Sequence, residues 1–173
     1  GASIVSISPD QNPTHIHSDY WVNPKPGTDH GLALGMIHVI VRDKLYDTAF
    51  IKEQTDLPFL VRTDTNKFLR ASDFDENGAE DLFYLWDMNS GSLYQPPGSM
   101  GSTEKTLRLD NVDPAIEGNW NIQIAGGKTV PVTTVFEILK ENLKQYTPEF
   151  AQEVTGVGAG TIEKVAAVYA NAE

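Results

Sequence analysis

Hydrophobic and polar positions divide the chain into three regimes. At the start, the β-branched run Ile4-Val5-Ser6-Ile7 is closed by Ser8-Pro9-Asp10, which predicts a strand ending in a loop. Tyr20-Trp21-Val22 reads as a second short strand, and Pro24, Pro26 and Gly27 punctuate the chain behind it. Thr28 is of the residue type that caps a helix, with Asp29 in the first turn, where its charge suits the dipole. The following run of Leu32, Leu34, Met36, Ile37, Val39, Ile40 and Val41 is apolar on most sides. It predicts a largely buried helix ending near Arg42-Asp43. A helix or turn is expected over 48–54.

The middle, 57–128, has another texture. Short strands are expected at Phe59-Leu60-Val61-Arg62, Lys67-Phe68-Leu69-Arg70, Leu82-Phe83-Tyr84-Leu85-Trp86, Thr106-Leu107-Arg108-Leu109 and Trp120-Asn121-Ile122-Gln123-Ile124. Asn89-Ser90-Gly91 and Gln95-Pro96-Pro97-Gly98 have turn chemistry. The last third reads as helical. Val135, Phe136, Leu139 and Leu143 recur at 3/4 spacing within 132–145. Thr147-Pro148-Glu149 marks a new helix start. A further helix over 159–172 carries Ile162, Val165, Ala166 and Tyr169 on one face. No internal repeat or low-complexity tract interrupts these segments.

Composition narrows the functional classes. The 173 residues hold 24 acidic and 13 basic side chains, a net charge of -11. A nucleic-acid surface needs a cationic face to displace counterions, and adhesion to anionic lipid needs the same. Both are disfavoured. There is no cysteine, so this chain supplies no disulfide, thiol nucleophile or iron–sulfur ligand. No apolar run approaches the roughly 20 residues of a membrane span, and no leader sequence is visible. The chain opens Gly-Ala-Ser without methionine, at the edge of a strand, which suggests a piece of a longer polypeptide.

Four stretches bear on chemistry. Strand, acidic loop, short strand and glycine-opened helix form nucleotide-binding anatomy, because ligands of doubly wound sheets sit beyond the carboxyl ends of strands. Asp10 and Asp29 are placed to accept hydrogen bonds from ribose hydroxyls or a guanine edge. Gly27 lets backbone come close, and the helix start offers free N–H groups. On the local pattern alone, plain turn and cap roles stay ahead. His15, His17 and Asp19 fall at strand spacing, as metal ligands can, but no fourth ligand is evident and polar edge residues are the simpler reading. Asp73-Phe74-Asp75-Glu76-Asn77-Gly78 imitates the start of a calcium loop. Its twelfth position is Tyr84 rather than a bidentate glutamate, which leaves at most a weak surface site. Thr155-Gly156-Val157-Gly158-Ala159-Gly160 lacks the Gly-Lys-Ser/Thr ending of a phosphate loop and reads as a tight helix–helix turn. No Ser-His-Asp array or carboxylate pair stands out.

Several of these stretches together resemble the molybdopterin-dinucleotide oxidoreductases of the dimethyl sulfoxide reductase family. They are 4–10, Ser18-Asp19-Tyr20-Trp21-Val22, Lys25-Pro26-Gly27-Thr28-Asp29 with Leu32-Ala33-Leu34, Leu45-Tyr46-Asp47 with Phe50, Tyr146-Thr147-Pro148-Glu149 and Glu153-Val154-Thr155-Gly156-Val157. Residues 52–62 and 83–87 resemble the alpha subunits of the branch holding ethylbenzene dehydrogenase, perchlorate, chlorate and selenate reductases and dimethyl sulfide dehydrogenase, with the ethylbenzene enzymes favoured.

The resemblance implies an α/β fold: a Rossmann-like three-layer segment with an irregular β-rich insertion. It divides into 1–56 (cofactor-binding strand–loop–helix), 57–128 (insertion) and 129–173 (helical return). It implies molybdenum held by two molybdopterin guanine dinucleotides, a 4Fe-4S cluster ligated elsewhere in the subunit, and two-electron oxidation or reduction at the metal. It implies partners: the remainder of the alpha subunit, an iron–sulfur beta subunit and a haem-binding gamma subunit, in the periplasm. Asp10, Asn12 and Thr14 on the first loop, and Pro26, Gly27, Thr28 and Asp29 on the turn, would surround one guanosine. No catalytic or metal-ligand residue is expected in this chain. The alternative is a free-standing acidic module for calcium or a nucleotide.

Overall fold

The computed structural model describes residues 3–96, 109 and 111–172. Among the described residues the fold is mixed α/β with three small sheets. It divides into two compact units, 1–46 with 140–173, and 47–139.

In the first unit, strand β1 (Val5–Ile7) pairs in parallel with β2 (Tyr20–Val22), Val5 beside Tyr20 and Ile7 beside Val22. Alternation sends Val5 and Val22 to one face, where they join Leu32, Ala151, Val157, Ile162 and Val165 in a core. The helices behind that face are α1 (Asp29–Arg42), α4 (Pro148–Thr155) and α5 (Ala159–Ala170). Helix α1 lies close to α4 because its interface residues are small. A Cβ on Gly35 would stand 2.6 Å from the Ala151 Cβ. Thr147 caps α4 through its hydroxyl, which accepts from Phe150 N–H at 3.2 Å, as Thr-Pro-Glu predicts. Gly156 closes α4 at φ +76, so the glycine-rich segment is a helix–helix turn.

Two expectations change here. Thr28 does not cap α1 with its side chain; its hydroxyl donates to the Lys25 carbonyl at 2.7 Å, closing the preceding turn instead. His15, His17 and Asp19 do not share a strand: Pro13–His17 is a 3-10 turn. The Asp19 carboxylate is taken by Ile4 N–H at 2.8 Å.

The parallel pair has no third strand among the described residues. Ile4 and Ile7 remain nearly half exposed, as does Trp21. Parallel sheets are ordinarily covered on both faces. Tyr169, near the other end of the chain, is 71% exposed.

The second unit starts with α2 (Thr48–Gln54), capped by the Asp47 carboxylate. Strands β3 (Leu60–Arg62), β4 (Lys67–Phe68), β7 (Asn119–Gln123) and β8 (Thr129–Thr134) form an antiparallel sheet in the order β4-β3-β8-β7. Strands β5 (Leu85–Asp87) and β6 (Ser92–Tyr94) make a hairpin over the expected Asn89-Ser90-Gly91 turn. Leu60, Leu69, Ile122, Val130 and Val132 form the core, with Trp86 stacked on Trp120 at 5.2 Å beside it. The strand expected at 106–109 falls on residues outside the described set except Leu109, which lies in a turn; the 95–98 turn is likewise described only as far as Pro96.

The helix expected over 132–145 is shorter than its apolar spacing suggests. Residues through Thr134 belong to β8, and α3 is Val135–Leu143. Burial alternates along β8 up to Val132, the signature of a strand. Pro131 lies opposite Asn121 of β7 and just beyond the β3 pairing at Val132–Thr134, and its carbonyl, which needs no N–H of its own, accepts from Thr63 N–H at 3.0 Å. The calcium-loop imitation is also resolved. Asp73 lies in a 3-10 turn with one carboxylate oxygen on the Arg62 guanidinium and the other on Arg70 N–H, 2.9 Å away. Asp75 accepts from Asn77 N–H at 2.9 Å. The two carboxylates therefore serve local structure.

Asp87 organises the hairpin and the segment beside it. Its buried carboxylate accepts from Asn89 N–H (3.1 Å), Ser90 N–H (3.1 Å) and Asp113 N–H (2.9 Å). The Ser90 hydroxyl and then these backbone donors push its pKa down to about 2. A carboxyl depressed in the folded state contributes stability above its unfolded pKa of roughly 3.9, and that contribution is lost as pH falls toward 2. Tryptophan fluorescence followed during acid titration should therefore hold steady above roughly pH 5 and fail between roughly pH 4 and 2. Asp87→Asn should flatten that acid dependence; an unchanged acid limb would assign it to other groups.

Candidate functional site

The candidate residues sit on two loops. Both leave the carboxyl ends of neighbouring parallel strands, so both open at the same end of the pair. The first follows β1 and carries Asp10, Asn12 and Thr14. The second follows β2 and carries Pro26, Gly27, Thr28 and Asp29.

The first loop is held by its own polar groups. Ser8 N–H donates to Val22 O at 3.0 Å, tying the loop to the end of β2. Ser8 Oγ donates to the Asp10 carbonyl at 3.0 Å, and Asn12 Nδ2 donates to Ser8 Oγ at 3.3 Å. The Asn12 side-chain oxygen accepts from Thr14 N–H at 3.0 Å, capping the 3-10 turn, while Asn12 N–H approaches His15 Nδ1 at 3.1 Å. Asn12 is thus a loop-shaping residue in this structure. Trp21 Nε1 donates to the Ser8 carbonyl at 3.0 Å, and the His15 ring meets the Trp21 ring edge-on at 4.6 Å. His15 and Trp21 brace the loop from the face of the pair opposite the helices. Both roles escaped the sequence reading; the alternation that turns Trp21 away from Val22 was the available signal.

The second loop contains a β-turn. Thr28 N–H donates to Lys25 O at 3.2 Å, with Pro26 and Gly27 at the central positions and Gly27 at φ +79. Proline followed by a residue of positive φ is the type II combination, which glycine adopts without strain. No atom lies within 4 Å of where a Gly27 side chain would begin, so the space over the turn is open. Asp29 then starts α1, whose first N–H groups have no intrahelical acceptor.

The Asp10 and Asp29 side chains are exposed, and neither has a hydrogen-bond or ion-pair partner among the described residues. The two loops, which open at the same end of the strand pair, thus carry free carboxylates, a bare glycine turn and a helix start. Among the described residues, no group of three His, Cys, Asp or Glu side chains could hold a metal. No helix there is long and apolar enough to cross a membrane.

Along its length the chain is similar to the alpha subunits of several oxidoreductases, in line with the family resemblance read from its sequence. It is 47% identical over 173 residues to the alpha subunit of dimethylsulfide dehydrogenase from Rhodovulum sulfidophilum, matching all of this chain and 18% of that protein. It is 47% identical over 166 residues to the chlorate reductase alpha subunit of Ideonella dechloratans, or 96% of this chain and 18% of that one. It is 44% identical over 193 residues to the perchlorate reductase alpha subunit of Dechloromonas aromatica (strain RCB), or 100% of this chain and 21% of that one. The chain thus spans about a fifth of the length of these relatives. No protein-family model matches it.

Proposed function

We propose that this segment holds the guanosine end of a molybdopterin guanine dinucleotide within the alpha subunit of a molybdenum oxidoreductase. The observation that carries the reading is the placement of the free Asp10 and Asp29 carboxylates on loops beyond the same ends of two parallel strands. The donor set fits that ligand. A carboxylate accepts from a guanine N1–H and N2–H₂ edge or from ribose hydroxyls, which are donor-rich groups. The open space at Gly27 admits a ring or ribose close to backbone, and the first N–H groups of α1 suit a diphosphate. Asn12 supports this by setting the course of the first loop, and the Thr28 hydroxyl by closing the turn in front of Asp29.

The bound cofactor would supply two-electron oxidation or reduction of substrate at molybdenum; the residues of this chain bind and orient. In this reading β1, β2 and α1 belong to a Rossmann-like layer. The remainder of the alpha polypeptide continues it on the open strand edges and covers Ile4, Ile7 and Trp21. Iron–sulfur beta and haem-binding gamma partners, a 4Fe-4S cluster ligated outside this chain, and a periplasmic setting follow from the same family resemblance. The narrower assignment, an ethylbenzene-type hydroxylation, rests on the likeness of residues 52–62 and 83–87.

The test is cofactor retention in the complete alpha subunit with its partners. Cofactor lost on mild heating is followed as GMP freed by acid hydrolysis. Asp29→Asn keeps the shape but replaces two acceptor oxygens with one. It should speed release by about tenfold, since affinity differences between variants lie mostly in the off-rate. Asp10→Asn should act in the same direction. Wild-type retention in both variants would remove the guanosine reading.

A further inference from the structure

Lys25 uses all of its polar groups within the first unit. Its N–H donates to the Thr155 carbonyl at 2.8 Å. Its own carbonyl accepts from Thr28 N–H at 3.2 Å and from the Thr28 hydroxyl at 2.7 Å. Its ammonium donates to the Glu153 carbonyl at 3.3 Å. The side-chain stem crosses Gly156, where an added Cβ would stand 3.2 Å from Lys25 Cε. The cation thus meets the carbonyl end of α4, the negative end of its dipole.

The anchor beneath is rigid. Thr155 is fully buried, donates its hydroxyl to Ala151 O at 2.7 Å and accepts from Val157 N–H at 3.1 Å. Gly156 turns the chain at φ +76, which leaves its surface bare for the lysine stem. Lys25 touches no candidate ligand-binding atom itself. It immediately precedes the Pro26-Gly27 turn, and that turn sets where Asp29 and the first N–H groups of α1 point.

We infer that Lys25 is a positioning residue: it clamps the 25–28 turn onto the α4–α5 junction and so fixes the Asp29 carboxylate for its nucleotide. This rests on the proposed contact between Asp29 and guanosine, and the experiment separates the two. In the complete alpha subunit with its partners, Lys25→Met keeps the stem and removes the charge, and Lys25→Arg restores a cation. Lys25→Met should speed cofactor release, followed as GMP, by about fivefold, with Lys25→Arg close to wild type.

Hydrogen exchange should accelerate at Thr28 and Gly31 while the interior of α1 around Val39 stays protected, a localisation that general destabilisation does not give. The double variant Lys25→Met with Asp29→Asn should release cofactor no faster than Asp29→Asn alone, because the lysine acts through the aspartate. Fully additive effects, or unchanged exchange at Thr28 and Gly31 in Lys25→Met, would overturn the clamp. Faster release from Asp29→Asn with none from Lys25→Met sinks the clamp alone. Wild-type release from Asp29→Asn sinks the nucleotide contact and the clamp's purpose with it.

Discussion

Gly35→Val should lower the stability of the first unit by about 3 kcal/mol, the upper range for overpacking a close-packed interface. The reason is local. A Cβ at position 35 meets the Ala151 Cβ at 2.6 Å and the Ile162 Cγ2 at 3.4 Å. Ala151 is fully buried and its Cβ is fixed to the α4 backbone, so it has no rotamer through which to retreat. Two helices would have to part, opening the core that Leu32 shares with Val22 and Val165. The same class of change has the opposite sign elsewhere. Gly160, exposed within α5 with nothing within 4 Å of a new Cβ, should tolerate alanine and gain up to about 1 kcal/mol in helix propensity. Thermal unfolding of the two variants side by side is the check. Equal effects would mean that α1 and α4 are not held at this distance.

Phe136→Ala should be the most damaging single truncation in the second unit, at about 3–5 kcal/mol. Phe136 is 1% exposed and is the largest of the fully buried side chains. It stands where β8 gives way to α3, and its N–H donates to Leu57 O at 3.0 Å while Val135 N–H donates to Phe59 O at 3.0 Å. Removing a ring that is fully buried leaves a cavity, and the backbone on either side of it is already committed to hydrogen bonds that resist collapse. Denaturant unfolding read through Trp86 and Trp120 should show the lower midpoint. A loss under about 1 kcal/mol would place the ring outside the core, because cavity-forming aromatic truncations cost several times that.

Local signals carried much of the first unit. Val5-Ser6-Ile7 and Tyr20-Trp21-Val22 announced strands by β-branched and aromatic content, and Thr147-Pro148 announced α4 by its cap. Residues 132–145 misled because Val135, Phe136, Leu139 and Leu143 satisfy a helical period, but the helix does not extend back to Val132. Only the pairing of Thr133 with Val61 and Asn119 decides for a strand there. Such pairing is set by distant sequence and leaves no local trace. The site divides the same way. Asp10 and Asp29 were visible as acidic loop residues, whereas the groups that shape their loops were not. Trp21 reaches back to Ser8, and Lys25 finds Glu153 at a separation of 128 positions. Thr28 looked like a cap because threonine suits that position; a nearer acceptor at Lys25 claimed its hydroxyl.

The first unit is built from two stretches of chain, 1–46 and 140–173, with all of 47–139 made in between. On a ribosome adding roughly 5–20 residues per second, α1 would wait several seconds for the helices it packs against. It is apolar on most sides, so it would spend that interval as an attractive target for holdase chaperones and for wrong partners. The timing of synthesis, and not only the final contacts, would then decide how much of this protein reaches its folded form. A synonymous slowdown within codons 47–139 should lengthen that exposure and lower the yield of folded protein without altering a single side chain.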